Sequence, residues 1–474
     1  MIDLSLFAGK PVAVMGLARS GLAAARALAA GGAEVRAWDD GEAGREAARR
    51  AGIPLADLAD EKNWLGVETL VLSPGIPHTH PAPHIAASRA REAGAEIIGD
   101  IELLIRACPD ARYVAITGTN GKSTTTALVG HILKEAGCKL ELGGNIGRSA
   151  IEFDPLGKDG FYVLELSSYQ LEQVPSLSCD VAVLINIAAD HLDRHGGMEG
   201  YVAAKRRIFE GQIAGGTAIV GLDDVHSRRV FETLTATSHE SGVRVIGISG
   251  TQRVPGGIYA IDRVLYDEME GEAVEVTNLA DVERLPGVHN AQNAAAAYAA
   301  ARAIRLKSPT IIAGIRSFPG LPHRLQLIDK IDGISYINDS KATNAEAAAR
   351  ALASYDNIYW IAGGRAKEGG LTALDPYLPH VRQAFLIGEA ADYMAAELRG
   401  RVETKNSGDL KTAIRDARDA ALRDGFAGAV VLLSPACASF DQFKDFEQRG
   451  IEFQRLVAET PRGSLREFKR GETA

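Results

Sequence analysis

Residues 113–129 read YVAITGTNGKSTTTALV. An apolar, β-branched run enters a glycine turn, and a lysine followed by hydroxyl residues opens a helical stretch. Strand, glycine loop and helix in that order make a phosphate cradle. Glycines let backbone N–H groups crowd an anion, and the helix N-terminus adds a favourable dipole. Lys122 offers a point charge to β- and γ-phosphates, and Ser123 or Thr124 a hydroxyl to Mg2+. The common form of this loop, G-x-x-x-x-G-K followed by Ser or Thr, needs glycine at position 116. This chain has Ile116 and starts its turn at Gly118, two residues late. The reading is a nucleotide site, but not that of an ordinary P-loop kinase or GTPase. The bland alternative is a glycine turn with a surface lysine.

The segments on both sides of this loop repeat a strand–helix rhythm. PVAVMGL and AEVRAWDD flank the alanine-rich helical segment Leu22–Ala30, and TLVLSPGI and AEIIGDIELL follow. Beyond the loop come FYVLELSS, VAVLINIAADHLDRH, TAIVGLDD and VRVIGISG. Apolar runs of this length between helices predict buried parallel strands. Residues 252–286 alternate in shorter steps and read as a small β-rich insertion, and 290–305 as an alanine-rich helix. SFPGLPHR (317–324) is the best linker candidate. After it, ISYINDSKAT, NIYWIAGG, AFLIGEA and AVVLLSPA predict four more strands. The expected fold is α/β in three domains: a Rossmann-like 1–106, a P-loop-type mononucleotide-binding 107–320, and a Rossmann-like 321–474.

Composition limits the function. The 474 residues carry a formal net charge of −9, which argues against a general nucleic-acid binder. The four cysteines, Cys108, Cys138, Cys179 and Cys437, lack metal-like spacing and read as reduced thiols. No apolar run reaches the ~18 residues of a membrane span, and MIDLSLFAGKPVAVMG does not read as a secretory signal. A cytoplasmic enzyme is expected.

Several motifs have competing readings. Glu165 ends FYVLEL, where a parallel sheet offers its ligand edge; it is a Mg2+ ligand, or a capping or salt-bridged carboxylate. Asp190, His191, Asp193 and His195 crowd one strand end, favouring Mg2+ or phosphate chemistry over zinc, since no partner Cys/His pair exists. Lys205 in YVAAKRRIF reads only as a solvated helix face. VMGLARSGLAAARALAAGGAEVRAWDD fails the dinucleotide fingerprint, with Val14 and Arg19 where glycines belong. Its Gly16–Gly21 turn with Asp39 and Asp40 still suits a nucleotide. His78, His80 and His84 sit in a proline-rich loop, read as rigid rather than metal-binding. Cys437 in SPACASFDQF reads as a small buried residue. HNAQNA (289–294), HR (323–324), NDSKAT (338–343) and GGRAKEGG (363–370) place polar groups at element ends.

With TGTNGKST, ELSSYQLE, NIAADHLDRHG, YVAAKRRIF, HNAQNA, PHR and NDSKAT in this order, the chain resembles the Mur ligase family over its whole length. Its ending SPACASFDQFKDFEQRG is similar to the D-glutamate-adding branch; the D-N-P motif of diaminopimelate-adding branches is absent. The resemblance implies an ATP-dependent amide ligase with Mg2+, two ions, and a carbamate on Lys205, which reverses the bland reading of that residue. Catalytic roles fall to Lys122, Glu165, His191 and Lys205, and metal binding to Ser123, Glu165, His191 and Lys205. ATP would meet Gly118, Thr119, Asn120, Gly121, Lys122, Ser123, Thr124, Asn290, Asn293, Arg324 and Asp339. The UDP-N-acetylmuramoyl-L-alanine substrate would meet Gly16, Leu17, Arg19, Ser20, Gly21, Asp39, Asp40, Ser73, Gly75, Asn145 and Ser168. D-glutamate would meet Lys341, Thr343, Lys367, Ser439, Phe440 and Phe443. A cytoplasmic monomer in peptidoglycan precursor synthesis is implied, with GLPHR as a hinge.

Overall fold

A computed structural model describes residues 1–366 and 370–462. The chain forms two compact units: Met1–Val282 with Val288–Phe318, and Glu283–Gly287 with Pro319–Ala474. The first unit carries two separate sheets and the second carries one.

The first sheet is all parallel, in the order β2-β1-β3-β4: β1 Pro11–Met15, β2 Glu34–Trp38, β3 Thr69–Leu72 and β4 Glu96–Ile98. The second has nine strands. These are β5 Arg112–Thr117, β6 Lys139–Gly144, β7 Gly160–Glu165, β8 Val181–Leu184, β9 Thr217–Gly221, β10 Arg244–Ser249, β11 Ile258–Ile261, β12 Val264–Asp267 and β13 Val274–Asn278. Their order is β13-β12-β11-β10-β9-β8-β5-β7-β6. From β11 to β6 every pairing is parallel, while β12 and β13 join antiparallel. The short-step segment 252–286 is therefore not a detached insert; its strands extend the edge of the central sheet.

Chemistry explains the burial. β5 is apolar on both faces and buried from Tyr113 onward, as a central parallel strand must be. Helix His289–Ala303 buries almost its whole circumference, and its alanines let neighbouring elements approach closely.

The second unit holds β14 Gln326–Ile331, β15 Ile334–Asn338, β16 Ile358–Gly363, β17 Val381–Ile387, β18 Thr404–Gly408 and β19 Val430–Leu433, ordered β14-β15-β19-β16-β17-β18. Only β14 is antiparallel. Strands β6, β14 and β18 are unanticipated by the sequence pattern. Each mixes exposed or half-buried positions with polar residues, as edge strands do. Apolar clusters cover both faces of this sheet.

Candidate active site

The nine-stranded sheet changes direction at β5, which has β7 on one side and β8 on the other. Ligands of open α/β sheets bind outside the carboxyl ends of strands at such a switch. The loop after β5, Glu165 at the end of β7, and the segment following β8 meet there.

Gly121 ends the loop as the N-cap of helix Lys122–Glu135, with φ 81°. A Cβ at this position would lie 2.1 Å from Asn293 Oδ1, so only glycine fits without displacement. Asn293 accepts a hydrogen bond from Thr125 Oγ1 (3.3 Å) and donates to Asn290 Oδ1 (2.9 Å). Both asparagines are buried beneath the loop end. On the other flank, Asn186 receives Thr119 N at its carbonyl and Asn120 N at its side chain, each at 2.9 Å.

Two lysines converge on one carbonyl. Lys122 Nζ donates to Gly118 O and Thr119 O, both at 2.9 Å, and Lys205 Nζ donates to Gly118 O at 2.8 Å. Lys205 is 1% exposed, so the solvated-face reading of its sequence context is wrong. Desolvation, then the charge of Lys122, holds its amine well below the ordinary range, against the opposing pull of Asp190 and Glu165. The ring of Tyr201 lies 4.6 Å from Lys205 Nζ, and its hydroxyl is 3.0 Å from Thr119 Oγ1.

Glu165 is buried. Asn145 Nδ2 donates to its Oε1 at 2.7 Å, while Oε2 has no hydrogen-bond partner. A buried carboxylate oxygen without a donor is costly, and a hard cation takes such oxygens. Among the described residues no group of three or more His, Cys, Asp or Glu is gathered for a metal. That sparse donor set fits Mg2+, which retains waters and leans on one or two carboxylates plus substrate phosphates. Glu165 and the hydroxyl of Ser123 would hold it.

The acidic and histidine cluster after β8 separates. His191 is exposed in the left-handed region (φ 51°), 3.5 Å from Asp190 and 5.3 Å from the Tyr169 ring. His195 turns inward instead, placing Nδ1 3.1 Å from Glu172 and Nε2 2.9 Å from Ser168 Oγ. His78 reaches the other oxygen of Glu172 at 3.1 Å. Burial works to raise the Glu172 carboxyl, but the bonds to His195 and His78 outweigh it and bring it down to about 2. Ser168, expected at the sugar-nucleotide site, is thus buried and engaged by His195.

At the first sheet the switch lies between β1 and β3. Asp39 fastens the turn after β1 by accepting from Leu17 N (2.5 Å) and Gly41 N (2.7 Å). Ser73 Oγ donates to Gly16 O at 2.9 Å, and Asp40 pairs with His84 at 3.0 Å. Arg19 is exposed, with Ser20 and Gly21 beside it on helix Arg19–Ala30. Gly75 O accepts from Arg194 at 3.0 Å, tying this loop to the segment after β8.

In the second unit, Asp339 follows β15. It accepts from Ser434 Oγ (2.8 Å) and Leu325 N (3.2 Å), beside Arg324, and burial pushes its carboxyl up to about 7. Lys341 lies with Nζ 3.7 Å from the Phe446 ring centroid. Thr343 N bonds to Lys341 O at 2.9 Å. Ser439 is buried, Phe440 exposed, and Phe443 packs against the sheet. Lys367 lies outside the described residues. The sequence reading missed Asn186, Tyr201, Glu172 and His78 as site-building residues; Asn186, two residues past β8, carried the only positional signal.

The chain matches the Mur ligase middle domain over residues 116–301 and the Mur ligase glutamate ligase domain over 323–437. It is 51% identical to the UDP-N-acetylmuramoylalanine--D-glutamate ligase of Rhodospirillum rubrum, covering 97% of this chain and 96% of that protein. The enzyme of the same name from Phenylobacterium zucineum is 50% identical, over 96% and 98%. Among solved structures, the UDP-N-acetylmuramate-alanine ligase of Thermotoga maritima superposes with a TM-score of 0.56 at 16% identity, over 95% of this chain and 100% of that one, a likeness of fold. Identity of this depth over nearly the full length settles the relationship: the chain belongs to the Mur ligase family and is a ligase.

Proposed function

We propose that the chain couples ATP cleavage to amide formation between UDP-N-acetylmuramoyl-L-alanine and D-glutamate, in the cytoplasmic synthesis of peptidoglycan precursors. The observation that carries this reading is the convergence of Lys122 and Lys205 on Gly118 O, beside the unpartnered oxygen of Glu165, in a chain half identical to ligases of that name.

A carboxylate is a poor electrophile. Transfer of the γ-phosphoryl group of ATP turns the alanyl carboxylate into an acyl phosphate. The D-glutamate amine attacks its carbonyl carbon, a tetrahedral intermediate forms, the amine loses a proton, and phosphate leaves with the C–O bond electrons. The protein's task is positioning and charge stabilisation. The 118–124 loop orients phosphates through its N–H groups, and Lys122 exchanges its two loop carbonyls for phosphate oxygens. Bound Mg2+ supplies further charge neutralisation on those oxygens. Burial favours the neutral form of Lys205, the form that adds to carbon dioxide: an N–C bond forms, one N–H proton is lost, and a carbamate anion results. That anion would give Mg2+ an oxygen ligand besides Glu165 and Ser123.

Asn290, Asn293, Arg324 and Asp339 serve ATP in this reading. The turn Gly16–Gly21 with Asp39, Asp40, Ser73 and Gly75 serves the UDP-sugar, and Lys341, Thr343, Ser439, Phe440 and Phe443 serve D-glutamate. Three functional segments follow, meeting near residues 107 and 320. The test is phosphate release from ATP with UDP-N-acetylmuramoyl-L-alanine across a panel of amino acids. Release with D-glutamate alone is expected. Equal release with other amino acids, or none with D-glutamate, refutes the assignment.

A further inference from the structure

Strands β15, β19 and β16 run parallel as neighbours, so their carboxyl ends share one edge of the sheet. The loops leaving them are 339–341, 434–439 and 364–366. All three close around one buried side chain, Arg449, which is 1% exposed. Its Nε donates to Ser340 Oγ (2.9 Å), Nη2 to Ser340 O (2.9 Å), and both Nη atoms to Cys437 O (3.2 Å). A Cβ on Gly364 would stand 3.3 Å from Nη1, so the third loop lies directly against the guanidinium. That loop is fastened to the second by Arg365 N to Ala438 O (2.8 Å) and Ala438 N to Arg365 O (3.0 Å).

The electrostatics are unusual for a structural staple. All four hydrogen bonds of Arg449 end on neutral oxygens. A buried charge is normally paired, because burying it alone is costly. Burial pulls this guanidinium down to about 10, which leaves it charged at neutral pH. Two acids act on it from a distance, Asp441 and, more weakly, Asp339, whose own carboxyl burial raises to about 7. Arg449 also stands in the first turn of helix Phe446–Ala458, where the helix dipole disfavours a cation. The strand edge therefore carries a cation that no carboxylate pairs by hydrogen bond; Lys341 follows Ser340 in the chain and Ser439 lies two residues past Cys437.

We propose that Arg449 is a specificity-determining positioning residue for the incoming amino acid. Its fork sets the three loops, and its charge, hydrogen-bonded to no carboxylate, selects a dicarboxylate nucleophile over a neutral one. This rests on the D-glutamate reading above. The cation does not need to touch the substrate: it acts through the loops it holds and through its field across a low-dielectric edge.

The test is the pair Arg449→Met and Arg449→Lys, with KM measured separately for D-glutamate, ATP and UDP-N-acetylmuramoyl-L-alanine. For the methionine variant the KM for D-glutamate is expected to rise at least tenfold, with the other two KM values within twofold. The lysine variant keeps the charge and loses the fork, and a rise of about threefold is expected. A structural role alone would raise all three constants together or lower only kcat, and either pattern overturns the proposal, as does an unchanged KM for D-glutamate. If the methionine variant does not fold, the lysine variant decides by the same selective rise or its absence. A wild-type chain that fails to use D-glutamate sinks the functional reading and this inference together. A wild type that uses it, with a variant of unchanged KM, sinks the inference alone.

Discussion

Replacing Gly121 by alanine should damage the nucleotide loop by an amount that can be assembled from its surroundings. Gly121 has φ 81° and ψ −10°. An L-residue held in the left-handed region costs about 1–2 kcal/mol. The new Cβ would lie 2.1 Å from Asn293 Oδ1, and reaching an ordinary 3.4 Å contact requires a shift of about 1.3 Å. Asn293 cannot move that far and keep both its bond from Thr125 and its bond to Asn290. Each lost bond is worth about 1 kcal/mol, so with one or both lost the total is about 2–4 kcal/mol of folding stability. If the loop moves instead of Asn293, the stability loss shrinks. The phosphate cradle is then misplaced by about 1 Å, which costs on the order of 100-fold in kcat/KM. Urea unfolding and ATP kinetics measured on one preparation read both routes. A double-mutant cycle adds the decisive control. Asn293→Ala removes the obstructing oxygen, so the double variant should be more stable than the sum of the single effects by about 1–2 kcal/mol. An alanine variant with unchanged stability and kcat/KM, or an additive cycle, would refute the packing argument.

Two further predictions concern buried ionisable groups. Lys205→Met should lower phosphate release at least 100-fold while leaving the fold intact, and wild-type activity should fall in carbon-dioxide-depleted buffer and return with bicarbonate; near-normal turnover of the variant removes Lys205 from the chemistry. Because burial lowers the folded-state value of Lys205 below its ordinary 10.5, the lysine destabilises the fold below that pH and increasingly so as pH falls toward the folded value. Lys205→Met should therefore gain stability over wild type on acidification, read by thermal melts across pH. Asp339 has the opposite chemistry. Its carboxyl rises from 3.8 to about 7, so the folded state holds the proton more tightly and stability declines as pH climbs through that window, by up to about 4 kcal/mol. Asp339→Asn should flatten that slope in chemical denaturation, and an unaltered slope would show that Asp339 is not its source.

Features with local signatures are legible from the amino-acid letters alone. The apolar run into Gly118 and Gly121-Lys122 marks a strand, a glycine turn and a helix start, because glycine freedom and a helix start are written in adjacent residues. The apolar strands of all three sheets were legible for the same reason, since strands buried on both faces leave continuous runs. The order of the motifs carried the family. The edge strands β6, β14 and β18 left no such run, because one side of each faces solvent or polar chain.

Properties set by residues far apart in the chain emerge only with the fold. Lys205 sits in a stretch that is basic and helical; the fold buries it against Gly118, 87 residues away, and that burial, with the charge of Lys122, lowers its amine. The four acidic and histidine residues after β8 look like one cluster in sequence. Backbone geometry turns His191 out and His195 in, so they do different work. Arg449 reads as an ordinary helix cation until the fold brings it against Ser340, 109 residues earlier, with no acid bound to it. Burial and pairing set the energy of a charge, and both depend on what the folded chain places around it, which neighbouring letters do not record.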